Sequence, residues 1–307
     1  EGSSDVPPSG GFYKCPHPGG YKLTNGYLTP FPKARAPPVM VCTDLDGTMV
    51  GDGPEFDAGT LAFRNYWEDT AGLAGGVLVF NTGRSIGAVC SLFIEKSGLL
   101  AVPNTIITAV GTKIFDRLLA FPPEDVRGWV EDNSWATQLD EGWDLIVVRE
   151  VCEEAVSDRW QKAAYWLDKG TEHPHRCSLS VHVPCLDELL EYLRSTFKEK
   201  NLQVQVIVSG AGDWRYVDCV ALRAGKLGAL NYVRRKFGIP KEQCAACGDS
   251  GNDTLMLDGE NPAIVVGNAQ PDLREWVLNQ VQDGRVVLTD AKGAYGILEG
   301  LASLKLY

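Results

Sequence analysis

Val39-Met40-Val41-Cys42-Thr43 runs directly into Asp44-Leu45-Asp46-Gly47-Thr48. The first five form a short, continuously apolar run, the pattern of a strand buried on both faces of a parallel sheet. Similar runs recur at 77–80, 105–110, 244–247, 264–266 and 286–288. Helical patterns lie between them. One covers 86–92, and Leu227, Leu230, Val233 and Phe237 make a stripe at helical spacing that ends at Gly238-Ile239-Pro240. Strands alternating with helices predict an α/β fold, a doubly wound parallel sheet with helices on both faces.

In such a sheet the ligand crevice lies beyond the C-terminal strand ends, which is where Asp44 and Asp46 fall. Two carboxylates one residue apart can divide labour, one attacking phosphorus and the other moving a proton to or from the leaving oxygen. The pair alone fits a metal-binding loop of a sugar transferase or an acidic turn equally well. A second cluster, Gly248-Asp249-Ser250-Gly251-Asn252-Asp253, follows the run at 244–247. Its carboxylates could cap the helix-like 254–257. A cap does not explain two acidic clusters, each behind a buried strand, and oxygen-rich ligands suit Mg²⁺. Asn81-Thr82-Gly83-Arg84 offers a hydroxyl and helix-start N–H groups to a phosphoryl oxygen. Lys226 opens a helix, where the macrodipole disfavours a cation, so the lysine is expected to face an anion.

Outside these elements the chain divides into an arm and an insert. Residues 1–38 are rich in Gly, Pro and Ser and read as an extended or disordered arm. The stretch 116–215 carries much Trp and charge, with alternating segments at 178–183 and 204–209 around a helix-like 186–197. It is expected to be a smaller mixed α/β cap inserted into a core made of 39–115 and 216–307.

Among the 307 residues, 44% are hydrophobic and 22% charged, an ordinary globular composition. The longest mostly apolar run, 71–80, is far short of the roughly 18 residues of a membrane span. A net charge of -11 and one short basic cluster, Arg234-Arg235-Lys236, exclude a nucleic-acid partner. The nine cysteines are odd in number and scattered, which predicts a reducing compartment, cytoplasm or plastid stroma. Cys244 and Cys247 should face opposite sides of a strand and so form no redox pair. His173, His175 and Cys177 could share a metal, but Pro174 favours a plain loop. The chain starts at Glu1 and so reads as a processed or trimmed form. A protein partner for the N-terminal arm is left open and has no motif in its support.

The four elements, DLDGT at Asp44, NTGRS at Thr82, Lys226 and GDSGND at Asp249, resemble the haloacid dehalogenase superfamily of phosphatases. Finer similarity lies with its sucrose-phosphate phosphatase branch, in TAVGTKIF, VQVIVSG, CGDSGND, VVGNAQPDL and GAYGILEGL. The resemblance implies a Rossmann-like core with the larger α/β cap, in the short form without a C-terminal domain. It implies a small phosphorylated sugar as substrate and Mg²⁺ as cofactor. Asp44 would be nucleophile and metal ligand, and Asp46 general acid–base and metal ligand through its carbonyl. Thr82 and Lys226 would hold the phosphoryl group, with Gly83 and Arg84 beside it. Asp249 and Asp253 would complete the metal site, supported by Asn252. One departure concerns the sugar. The family's SGKD-like cap stretch reads Ser209-Gly210-Ala211-Gly212-Asp213-Trp214-Arg215 and lacks the lysine. Trp214 and Arg215 are the expected substitutes. A sugar phosphomutase on the same fold and a non-catalytic scaffold subunit are the rival readings.

Overall fold

The computed structural model describes residues 21–24, 27–30, 39–168, 173–210, 212–280 and 284–307. Of the expected arm, β1 (Tyr21–Thr24) and β2 (Tyr27–Pro30) pair antiparallel, and the rest of 1–38 lies outside the described residues. The elements that follow are β3 (Met40–Thr43), α1 (Pro54–Tyr66), β4 (Val77–Asn81), α2 (Ile86–Glu95), β5 (Thr105–Thr108), β6 (Lys113–Arg117) and β7 (Trp129–Glu131). Then come α3 (Asn133–Leu139), α4 (Leu145–Glu154), β8 (Ala164–Asp168), β9 (Arg176–His182), α5 (Leu186–Glu199), β10 (Val204–Ser209) and β11 (Trp214–Ala221). The chain ends through α6 (Gly225–Lys236), β12 (Cys244–Gly248), α7 (Thr254–Leu257), β13 (Ala263–Val265), α8 (Pro271–Leu278), β14 (Val286–Leu288) and α9 (Gly293–Ser303).

Eight strands form one sheet in the order β14-β13-β12-β3-β4-β5-β6-β7. It is parallel from β14 to β5, and the last two pairings are antiparallel. Neighbouring residues of one strand feed different cores, which explains the continuous apolar runs. Val41, Leu78, Phe80 and Cys247 pack toward α1, α2 and α9, whereas Met40, Cys42, Val79 and Cys244 pack toward α6 and α8. Cys244 and Cys247 thus lie on opposite faces, as alternation requires.

A second sheet, β10-β11-β9-β8, is wholly antiparallel. Leu179, Val181, Val217 and Cys219 cover one of its faces with α4 and α5. Its other face carries Ser178, Tyr216 and Asp218, set by the register Ser178↔Asp218 and Ser180↔Tyr216. That face lines one side of a cleft whose other side is the strand-end loops of the large sheet.

Several expectations are corrected. The strand read at 105–110 stops at Thr108, because Ala109 and Val110 adopt φ of 52° and 58° in a tight turn. Sheet membership also departs from the limits 116 and 215. Trp129–Glu131 pairs within the large sheet, and Trp214–Ala221 lies within the small one. Cys177 sits in β9 and not in a loop, fully buried in the cap core. His175 Nε2 pairs with Asp140 Oδ1 at 2.8 Å. The three residues His173, His175 and Cys177 therefore do not converge on a metal.

Candidate active site

β3 lies at the centre of the large sheet, between β12 and β4. Its last hydrogen bond carries over into the site, where the Asp44 N–H donates to the Cys247 carbonyl at 3.0 Å. The loop after it closes on itself, with the N–H groups of Met49 and Val50 donating to the Leu45 carbonyl at 2.9 Å. Gly47 sits at φ +81° beside the Asp249 carboxylate, and a Cβ there would collide with it. Glycine meets both demands at once. Thr48 Oγ1 donates to Asp249 Oδ1 at 2.9 Å, and Asn268 Nδ2 donates to the Gly47 carbonyl at 2.7 Å.

The acidic cluster behind β12 is a helix cap and a site at the same time. Asp253 accepts from the Asp249 and Ser250 N–H groups at 3.1 and 3.2 Å, closing a capping box with Ser250. This leaves Asp253 Oδ1 for Lys226 Nζ at 2.6 Å. The same ammonium donates to Asp44 Oδ1 at 2.7 Å. Lys226 therefore faces two anions, and Asn81 Nδ2 fixes its main chain by donating to the Lys226 carbonyl at 2.9 Å. Carboxylate oxygens of Asp44, Asp249 and Asp253 lie within 4.8 Å of one another.

This concentration of buried charge shifts the acids. Burial raises the Asp44 pKa to about 7, against the pull of the Lys226 ammonium. Burial, then the Asp253 charge, raises Asp249 to about 6. Burial pulls Lys226 down, but Asp253 and Asp44 outweigh it and hold the lysine above its ordinary range. A cluster whose acids resist ionisation is one that a cation would relieve.

Around it opens a cleft of about 890 Å³ between the strand-end loops of the large sheet and the open face of the cap sheet. Asp46, Thr82, Gly83, Arg84 and Asn252 line it. Thr82 is 1% exposed, and its hydroxyl accepts from the Arg84 N–H at 3.1 Å. Asn252 Oδ1 accepts from Ser250 Oγ at 2.8 Å. Arg84 forks onto Asp46, with Nη2 to Oδ1 at 2.6 Å and Nε to Oδ2 at 2.8 Å.

Of the two expected cap residues, Arg215 reaches the cleft and Trp214 does not. Arg215 Nη1 donates to the Gly212 carbonyl at 2.5 Å. Trp214 packs instead against Tyr165 and His182, with ring centroids 5.4 and 5.0 Å away. Tyr216, two residues on along the same face, lines the cleft in its place, as do Ser178 and Asp218, which are hydrogen-bonded to each other. Sequence reading missed these cap residues because it had no register for β9 against β11. It also passed over Thr48 and Asn268, although they stand inside the DLDGT and VVGNAQPDL motifs.

The sequence matches the sucrose-6F-phosphate phosphohydrolase family over residues 37–305. The chain belongs to that family. It is 30% identical over 275 residues to a probable sucrose-phosphatase 2 of Arabidopsis thaliana, covering 88% of this chain and 60% of that one. It is 29% identical over 263 residues to the mannosylfructose-phosphate phosphatase of Agrobacterium fabrum, covering 85% of this chain and 95% of the relative. The chain thus spans about 60% of the length of the plant relatives it matches. Among solved structures, the sucrose-phosphatase of Synechocystis, in complex with sucrose and phosphate, superposes with a TM-score of 0.70 at 27% identity. That likeness covers 87% of this chain and 98% of that one. The haloacid dehalogenase-like yhjK protein of Bacillus subtilis shares the fold, with a TM-score of 0.62 at 18% identity. The family's core and cap therefore correspond to the large and small sheets. Among the described residues, no helix is long and apolar enough to cross a membrane.

Proposed function

We propose that this family member is a Mg²⁺-dependent phosphatase acting on a phosphorylated sugar, a disaccharide phosphate like those named for its relatives. The observation that carries the reading is Asp44. Its carboxylate lies on the cleft floor, 2.7 Å from a buried lysine and within the acid cluster.

The donor set is all oxygen, which fits a hard divalent cation. Asp44, Asp249 and the Asp46 carbonyl would hold it. Both oxygens of Asp253 are already engaged by Lys226 and the 249–250 amides, so its part is to hold these in place. When bound, the cation supplies positive charge that offsets the anionic floor and the phosphoryl oxygens.

The chain's own residues perform the rest. An Asp44 oxygen attacks phosphorus while the sugar–oxygen bond to phosphorus breaks, and Asp46 gives its proton to the departing alkoxide. The product is an aspartyl-phosphate. Asp46, now ionised, takes a proton from water as that water attacks phosphorus, which releases phosphate and restores Asp44. The Thr82 hydroxyl and the Lys226 ammonium bind the phosphoryl oxygens through both steps.

The test is a screen of sucrose 6F-phosphate, mannosylfructose phosphate and monosaccharide phosphates for phosphate release, with and without Mg²⁺. Release should stop in chelator, and Asp44→Asn should lower turnover at least 10³-fold while leaving the thermal transition in place. Release that persists in excess chelator, or in Asp44→Asn, would overturn the mechanism. Isomerisation of a sugar phosphate without net phosphate release would replace it with mutase chemistry, and inertness toward every substrate with a scaffold role.

A further inference from the structure

Asp46 stands apart from the buried acid cluster. Its side chain is 56% exposed, and each of its carboxylate oxygens meets a different nitrogen of the Arg84 guanidinium. An exposed ion pair contributes little to stability, so stability does not account for this one. A bidentate fork does fix direction, because two parallel N–H···O bonds set the plane of the carboxylate. The fork also ties two loops together. Asp46 belongs to the loop after β3 and Arg84 to the loop after β4, and the Arg84 N–H is itself bound to the Thr82 hydroxyl.

We propose that Arg84 is a positioning residue: its fork holds the Asp46 carboxylate at the cleft mouth for proton exchange with the leaving sugar oxygen. This deepens the phosphatase reading above and rests on it. An ionised carboxylate offers about four lone-pair sites. The fork occupies two, one on each oxygen, and one on each remains for the proton that passes to the alkoxide and is later recovered from water. Without the fork, an exposed aspartate is free to rotate, and a misplacement of about 1 Å costs on the order of 10²-fold in rate. The competing role for Arg84 is direct binding of the phosphoryl group.

Leaving groups separate the two roles. A sugar alkoxide needs a proton to depart, and 4-nitrophenolate does not. With Asp44→Asn first shown to be inactive on both, the phosphatase reading is secured independently of Arg84. Arg84→Ala should then lower kcat/KM about 10²-fold for the preferred sugar phosphate. The loss on 4-nitrophenyl phosphate should be at least tenfold smaller. Arg84→Lys, which keeps the charge and loses the fork, should fall between wild type and Arg84→Ala on the sugar substrate. In an Asp46→Asn background, Arg84→Ala should cost no more than about twofold on either substrate. Equal losses on both substrates, losses that add to those of Asp46→Asn, or full rescue by lysine would overturn the proposal in favour of phosphoryl binding.

Discussion

At the scale of single residues, the floor of the cleft is a balance between burial and charge. Asp44 and Asp249 titrate near 7 and 6 when folded, against about 3.9 for an unfolded aspartate. The folded chain therefore keeps protons that the unfolded chain has lost between pH 4 and 7. It follows that these two acids make the metal-free protein less stable as pH rises through that window. A divalent cation binds the ionised forms and reverses the penalty. Added Mg²⁺ should thus raise the melting temperature more at pH 7.5 than at pH 5, and Asp249→Asn should shrink the difference. Thermal scans at the two pH values check this. A Mg²⁺ shift of equal size at both would place the cation elsewhere. These residues were legible in the sequence because each follows a buried strand directly. The fork between Arg84 and Asp46 was not legible, because it joins two loops 38 positions apart.

At the scale of elements, loops are shaped so that main chain can pass close to a carboxylate or to other main chain. Gly47 carries this demand after β3, and Gly111 carries it near α6, where a Cβ would strike the main chain of Gly225. Gly47→Ala should cost about 1–2 kcal/mol for the left-handed backbone alone. Its methyl would also displace Asp249, so Mg²⁺ affinity should fall more than stability does. Titration calorimetry beside thermal denaturation checks this, and an unchanged affinity would show that the loop does not shape the metal site. The six parallel strands of the large sheet were readable from apolar runs, and α2, α6 and α7 from helical patterns, whereas β6, β7, α1, α8 and α9 were not read. Nor was the turn after β5. Val110 is β-branched and apolar, and nothing local predicts its left-handed backbone, which belongs to the packing of Gly111 against Gly225.

At the scale of the whole molecule, the cleft joins two sheets, and its cap side decides what is read beyond the phosphate. Tyr216→Ala and Arg215→Ala should impair hydrolysis of the preferred sugar phosphate about tenfold or more beyond any loss on 4-nitrophenyl phosphate. Trp214→Ala, outside the cleft, should affect both substrates alike. Steady-state kinetics on the paired substrates checks this, and a sugar-selective loss in Trp214→Ala alone would return that residue to the pocket. The insert was legible as a separate unit, yet its working face was not, since alternation along a strand does not say which side looks at the core. The same architecture bears on how the chain comes off the ribosome. Central strand β3 pairs with β12 in the register Met40↔Cys244, so the middle of the large sheet joins segments about 200 residues apart. At about 5–20 residues per second, β3 waits roughly 10–40 s for its missing neighbour β12. The cap, whose strands lie close together in sequence, can close in that interval. Until β12 arrives, β3 offers an apolar, unpaired edge, and this nascent intermediate is where a chaperone would be needed most.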